Sequence, residues 1–174
     1  VSSAYDVLVG KAALAKGPVV IYGAGEVGCE AAKFAAERGC DVILSTRSSD
    51  DQALSRANWL RIYREQFIKT LTAYPNIRIE LGTALKSVAP GRVTMERDGE
   101  EVIWEAGQLL LAVGRVPDNA LAAALERKGL EVVTVGDARD VRRIGDAVHE
   151  AYKAVTRHTR ALTPAGKVLD RIAF

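Results

Sequence analysis

The 174-residue sequence is poor in the residues that build a self-contained reactive centre. Two cysteines, Cys29 and Cys40, are too few for a disulfide framework and lack metal-ligand spacing. Free thiols of this kind are the default in the cytoplasm, which is the expected location. The two histidines, His149 and His158, stand nine positions apart on one expected helix and cannot share a face as metal ligands. No serine–histidine–aspartate set and no paired carboxylates stand out, so hydrolytic chemistry has no support. No apolar run approaches the roughly 20 residues needed to cross a bilayer. Val1 to Lys16 mixes polar and charged residues where a signal peptide needs an apolar stretch. No membrane association is therefore expected. The formal net charge is only +2, which argues against an electrostatic nucleic-acid binder. One basic group, Arg142, Arg143, Lys153, Arg157 and Arg160, is interleaved with Asp146 and Glu150 and reads as a solvated helix face.

What is present is an alternation of buried strands and helices. Ser3 to about Ala15 reads as a short helix, closed by Gly17-Pro18. Val19–Tyr22 is continuous and largely β-branched, as parallel strands covered on both faces are. A helix follows to Arg38, Gly39 stops it, and Asp41–Leu44 is the second strand. An amphipathic helix is expected over Ser55–Thr72 and a third strand over Ile77–Leu81. The pattern then changes to short alternating strands, Ala84–Val88, Arg92–Arg97 and Val102–Glu105, split by Pro90-Gly91 and Asp98-Gly99. Leu109–Val113 returns to the buried type. A helix over Ala120–Arg127, a strand over Val132–Val135 and a helix over Arg142–His158 complete the reading. The expected fold class is α/β: a Rossmann-like parallel sheet with a small antiparallel β-meander insertion and a C-terminal strand–helix. The expected division is a nucleotide-binding domain over residues 1–128 and a separate segment over 129–174.

The strongest local signal is Gly23-Ala24-Gly25-Glu26-Val27-Gly28, because it joins a buried strand to a helix. Gly23 permits the tight turn, Gly25 lets the backbone approach a pyrophosphate, and Gly28 allows close helix–strand packing. The helix start offers its amides and positive dipole end to the phosphates. The alternative is a glycine-rich turn without a ligand. Cofactor choice is read at the end of the second strand, where Ser45-Thr46-Arg47-Ser48 stands in place of an acidic residue. Arg47 pairs with a 2′-phosphate on this reading, with Thr46 beside it, which favours NADPH over NADH. Its competitor is an ordinary surface arginine. Glu26 is favourable at a helix start yet sits where phosphate should bind. Pointing away it is harmless, and pointing in it weakens the site. Glu30, one turn on, faces either the nicotinamide ring or solvent.

These segments resemble the C-terminal part of the NADH:flavin oxidoreductase and 2,4-dienoyl-CoA reductase family, to whose wider group trimethylamine dehydrogenase belongs. Ser3–Leu8 is similar to the family's lead-in helix, and Val20–Glu30 to its nucleotide fingerprint. Leu111-Ala112-Val113-Gly114-Arg115-Val116-Pro117-Asp118 is similar to the segment where the chain returns to the flavin domain. Val135–Ala138 with Arg142–Ala147 is similar to the glycine–aspartate motif and closing helix beside FAD. The resemblance implies an NAD(P)H-binding module passing electrons through FAD and an iron–sulfur cluster to FMN and an enone-like acceptor. It places the dinucleotide at Gly23, Gly25 and Gly28, the ribose at Arg47, and the flavin near Val113, Gly114, Gly136 and Asp137.

The departures shape the rest of the expectation. The barrel that carries FMN, the cysteine cluster and a first glycine motif for the ADP half of FAD are all missing from these residues, so only a partial FAD site is implied. The chain is accordingly expected to be cut from a longer polypeptide or to work with a partner chain that supplies the FAD and FMN domains. An exposed apolar face near the last helix is expected to drive self-association. Two rivals stand beside this reading. One is a vestigial ADP-binding scaffold without redox activity, for which Glu26 speaks. The other is a stand-alone short-chain dehydrogenase, which needs a tyrosine and a lysine four apart. Tyr152 is followed directly by Lys153, and Tyr63 has Phe67 four positions on.

Overall fold

In the computed structural model, residues 1–50, 54 and 61–162 are described. The chain divides into two compact units, Val1–Gly114 and Arg115–Phe174.

The first unit is built on a five-stranded parallel sheet in the order β1-β8-β2-β3-β4. Its strands are β1 (Ser2–Ser3), β2 (Val19–Tyr22), β3 (Val42–Ser45), β4 (Ile77–Glu80) and β8 (Gln108–Leu111). Parallel neighbours need crossovers, and helices α1 (Ala4–Leu8), α2 (Glu26–Ala36) and α3 (Arg61–Thr72) are available for them. The antiparallel meander, β5 (Ala84–Ala89), β6 (Arg92–Arg97) and β7 (Glu100–Glu105), forms a second sheet of three strands. Asp98 and Gly99 both take positive φ, 53° and 85°, which is the backbone that an Asp-Gly hairpin needs.

Strand alternation decides which layer each side chain joins. Val19, Ile21, Val42, Leu44 and Leu110 pack with the helices, against Ala31, Ala32 and Ala35 of α2. Val20 and Leu109 pack on the other face with Val93, Met95 and Trp104 of the meander. Burial on both faces explains why these strands read as unbroken apolar runs. The small residues on α2 let it lie close to the sheet.

The second unit contains α4 (Ala120–Glu126), a 3-10 turn at Gly136–Ala138 and α5 (Ile144–Leu162). The strand expected over Val132–Val135 is a correction: this stretch pairs with no other segment among the described residues. Sequence periodicity reports a preference for extended backbone, but a strand exists only with a partner, and residues 115–162 offer no second edge. Smaller differences occur elsewhere. The first helix ends at Leu8 rather than near Ala15, because Gly10 turns left-handed at φ 75° and Lys11 and Ala12 both donate to the Asp6 carbonyl. The two residues before it join the sheet as β1, a role that two serines do not signal. The expected helix over Ser55–Thr72 is described from Arg61 onward, and residues 55–60 lie outside the described set.

Candidate functional site

The parallel strands end level with one another. Tyr22 pairs with Ser45 on one side and Leu111 on the other, and Ser45 pairs with Glu80. The loops after β2, β3, β4 and β8 therefore gather at one edge. From β2 the chain passes to β3 and β4 on one side, while β8 and β1 lie on the other. That reversal of direction opens the crevice where α/β sheets bind ligands.

The loop after β2 is set by contacts that exclude side chains. Gly23 has φ 108°, and a Cβ there would lie 2.3 Å from the Ala112 carbonyl oxygen. At Gly28 a Cβ would lie 1.8 Å from the Gly23 carbonyl oxygen and 3.2 Å from the Ala112 Cβ. Both glycines are thus demanded by packing of loop, helix and β8. Gly25 is different: a Cβ there would meet nothing within 4 Å. It is the N-cap of α2 and, as glycine, brings no capping side chain of its own. The first intrahelical bond runs from the Cys29 N–H to the Gly25 carbonyl at 2.9 Å. The amides of Val27 and Gly28 precede that bond and have no acceptor within the helix. Ala24 is buried, and its carbonyl accepts from the Cys29 thiol at 3.3 Å.

The flanking loops are tied into the sheet. Gly23 N–H donates to the Ser45 carbonyl, and Ala112 N–H to the Tyr22 carbonyl, each at 2.8 Å. Buried Ser45 donates its hydroxyl to the Ile21 carbonyl at 3.2 Å. Thr46 and Arg47 follow, and Arg47 is exposed with no ion pair or hydrogen bond of its side chain among the described residues. Val113 is exposed, and Gly114 takes φ 104° with open space around it. The edge thus gathers the glycine loop, Thr46–Arg47 and Val113–Gly114.

Glu30 stands one turn into α2. Partial burial, and then the nearby Glu26 carboxylate, raises its carboxyl above the ordinary glutamate range. Two carboxylates close together at a helix start make this end less welcoming to an anion than the backbone alone.

Gly136 and Asp137 lie in the second unit and are engaged there. Gly136 N–H donates to a Glu150 carboxylate oxygen at 2.9 Å, and its own φ is 61°. Asp137 pairs with Arg115 at 3.2 Å and accepts from the Arg142 N–H at 3.3 Å. The motif's polar groups therefore already have partners within the unit. Among the described residues, no three histidine, cysteine, aspartate or glutamate side chains gather as a metal site. No helix among them is long and apolar enough to cross a membrane.

Two parts of this edge carry little signal in the sequence. Ala112 forms the wall against which both Gly23 and Gly28 close, but in sequence it is one small residue in an apolar strand. The turn at Gly82–Thr83 sits beside Thr46, with Thr83 fully buried and its N–H donating to the Thr46 carbonyl at 2.9 Å. A glycine and a hydroxyl residue after a strand were the only signals of it.

Comparison with known proteins agrees with this geometry. Residues 6–142 match the pyridine nucleotide-disulphide oxidoreductase family. An NADH oxidase of Thermoanaerobacter brockii is 34% identical over 160 residues, covering 88% of this chain and 23% of that protein. A bilirubin reductase of Mediterraneibacter gnavus is 32% identical over 143 residues, covering 81% of this chain and 21% of that protein. Among solved structures, a 2-naphthoyl-CoA reductase aligns with a TM-score of 0.70 at 26% identity, over 87% of this chain and 22% of that one. The chain thus spans less than a quarter of the length of each of these three relatives.

Proposed function

We propose that this chain, which belongs to the pyridine nucleotide-disulphide oxidoreductase family, is the NAD(P)H-binding module of a multi-cofactor flavin oxidoreductase. The observation that carries the proposal is the contrast within the glycine loop. Gly23 and Gly28 are needed for the fold, whereas Gly25 faces open space at a helix start whose N-cap residue has no side chain. A loop shaped in this way accepts a pyrophosphate against its backbone.

The residues fit a dinucleotide. Gly23, Ala24, Gly25, Val27 and Gly28 hold the pyrophosphate through main-chain groups, with Glu26 beside them. Thr46 and Arg47 take the adenosine ribose and its 2′-phosphate, because a guanidinium pairs with phosphate in two-toothed fashion. Glu30 borders the nicotinamide end, and Val113 and Gly114 lie toward the flavin. When bound, the reduced nicotinamide supplies a hydride to a flavin. The chain's own part is to bind and orient that nucleotide. We assign this role to residues 1–128 and flavin-contacting character to 129–174.

Asp137 fits a flavin less directly, since a contact there first displaces Arg115. Both partners are exposed, and such pairs contribute only about 0–1 kcal/mol. Passage of electrons onward through FAD and an iron–sulfur cluster to FMN and an enone-like acceptor belongs to parts of the enzyme outside these residues. The relatives' names, an NADH oxidase and two reductases, support an oxidoreductase of this kind.

Calorimetric titration of the chain with NADPH and then NADH, at one salt concentration, tests the reading. NADPH is expected to bind more tightly, and Arg47→Ala to remove about tenfold of its affinity while sparing NADH. Gly25→Ala is expected to weaken both nucleotides with stability changed by less than about 0.5 kcal/mol. Failure of both nucleotides to bind would favour the ADP-binding scaffold instead.

A further inference from the structure

Three main-chain hydrogen bonds hold the residues on either side of Arg47. Thr46 N–H donates to the Glu80 carbonyl at 3.1 Å, Thr83 N–H to the Thr46 carbonyl at 2.9 Å, and Gly82 N–H to the Ser48 carbonyl at 3.0 Å. Arg47 lies between these pinned neighbours, and its side chain alone is left to reach outward.

The turn that supplies these bonds is itself firmly held. Gly82 takes φ 66°, a left-handed conformation. Thr83 is fully buried and donates its hydroxyl to the Glu80 carbonyl at 3.2 Å. The Glu80 carboxylate is gripped by Arg78 at 3.2 Å and by Arg97 of β6. The start of the meander is thereby joined to the loop that carries Arg47. A long, flexible side chain discriminates well only when its backbone is already oriented, because ordering that backbone on binding would cost affinity.

We infer that the Gly82–Thr83 turn is a positioning element for cofactor choice, holding the Thr46–Ser48 backbone so that Arg47 meets the 2′-phosphate. The inference rests on the nucleotide reading proposed above. Gly82 and Thr83 act through Arg47 and touch no part of the nucleotide.

Position 82 allows a conformational test. A Cβ there would meet Ser49 at ordinary contact distance, its Cβ at 3.6 Å and its Cα at 3.9 Å, so space is not the obstacle. The positive φ is, and a β-branched residue tolerates it poorly whereas asparagine tolerates it well. Dissociation constants for NADPH and NADH would be measured for the full chain and for Gly82→Val, Gly82→Asn and Arg47→Ala. Gly82→Val is expected to weaken NADPH about tenfold and NADH less than about twofold, with Gly82→Asn close to the parent. Should Gly82→Val fail to fold, Thr83→Val measured beside Thr83→Ser gives the same comparison. It removes the hydroxyl bond that shapes the turn, and serine restores it. Equal weakening of both nucleotides, or no weakening of either, while Arg47→Ala abolishes the preference, would overturn the inference alone. An unchanged NADPH-to-NADH ratio in Arg47→Ala would instead remove Arg47's role in cofactor choice, and the inference with it, whereas no binding of either nucleotide would remove the nucleotide reading itself.

Discussion

The two units of this chain differ in what lies inside them. Every buried apolar side chain among the described residues belongs to the first unit, from Ala4 to Leu110. In the second, Gly136 is the only buried residue among those described. Val116, Leu121, Leu130, Val133, Ile144, Val148, Tyr152 and Val155 are all exposed there. A parallel sheet covered on both faces completes its own core. Two helices and a turn cannot do so unless their apolar faces meet. Burial of apolar surface is the main stabilising term in folding, so secondary structure without it gives a unit that depends on its surroundings. Ile144, Val148, Tyr152 and Val155 recur at intervals of four, four and three, which places them along one face of α5.

The largest effect should come from cutting the chain at Gly114. Residues 1–114 are expected to unfold in one cooperative thermal transition. Residues 115–174 alone should show helical signal without one. A cooperative transition in the second piece would break the comparison.

Glycine substitution sharpens it. Gly28→Ala places a Cβ 1.8 Å from a backbone oxygen, and a cost of about 3 kcal/mol or more is expected in denaturant unfolding. At Gly136 the nearest atom to an added Cβ is the Ala147 methyl, at 2.9 Å. That methyl carbon moves only with the backbone of α5, so the clash adds to a left-handed strain of about 1–2 kcal/mol.

Next comes the exposed stripe. Replacing Val148 and Tyr152 by serine is expected to reduce hydrophobic-dye fluorescence and to lower self-association in sedimentation velocity, with the melting temperature of the first unit unchanged. An unaltered dye signal would mean that this face is not the exposed apolar surface in solution.

The smallest effect concerns Glu30. Its carboxyl is raised, first by burial and then by Glu26. The folded chain therefore holds this proton more tightly than the unfolded chain does. Its contribution to stability is fully present below the ordinary glutamate value and is lost as pH rises through the raised one. By the same sign, anionic nucleotide should bind more tightly as pH falls toward that raised value. We expect a change of about two- to threefold in NADH affinity, flattened by Glu30→Gln. A pH profile identical in the variant would detach Glu30 from the site.

The first unit was legible in the sequence because its signals are local. β-branched runs, a glycine fingerprint and an Asp-Gly turn each bias a few consecutive residues, and packing agrees with these three, though not with the longer helix expected before Ala15. The candidate site was legible for the same reason at Gly23–Gly28 and Thr46–Arg47, where strand ends meet turns. Ala112 and the Gly82–Thr83 turn were not, since their roles arise from residues about 30 to 90 positions away. Local preference also suggested a strand at Val132–Val135, which pairs with no other segment among the described residues.

The sequence by itself determined most element types of the first unit, the alternation of its layers and the loop chemistry suited to a pyrophosphate, because these follow from residue periodicity and glycine sterics. Only the tertiary structure decided that Gly25, unlike Gly23 and Gly28, faces open space, that Arg47 is bracketed by a turn from β4, and that Asp137 is already paired. Each of these depends on which distant backbone atom comes within a few ångströms, and no local pattern encodes that distance.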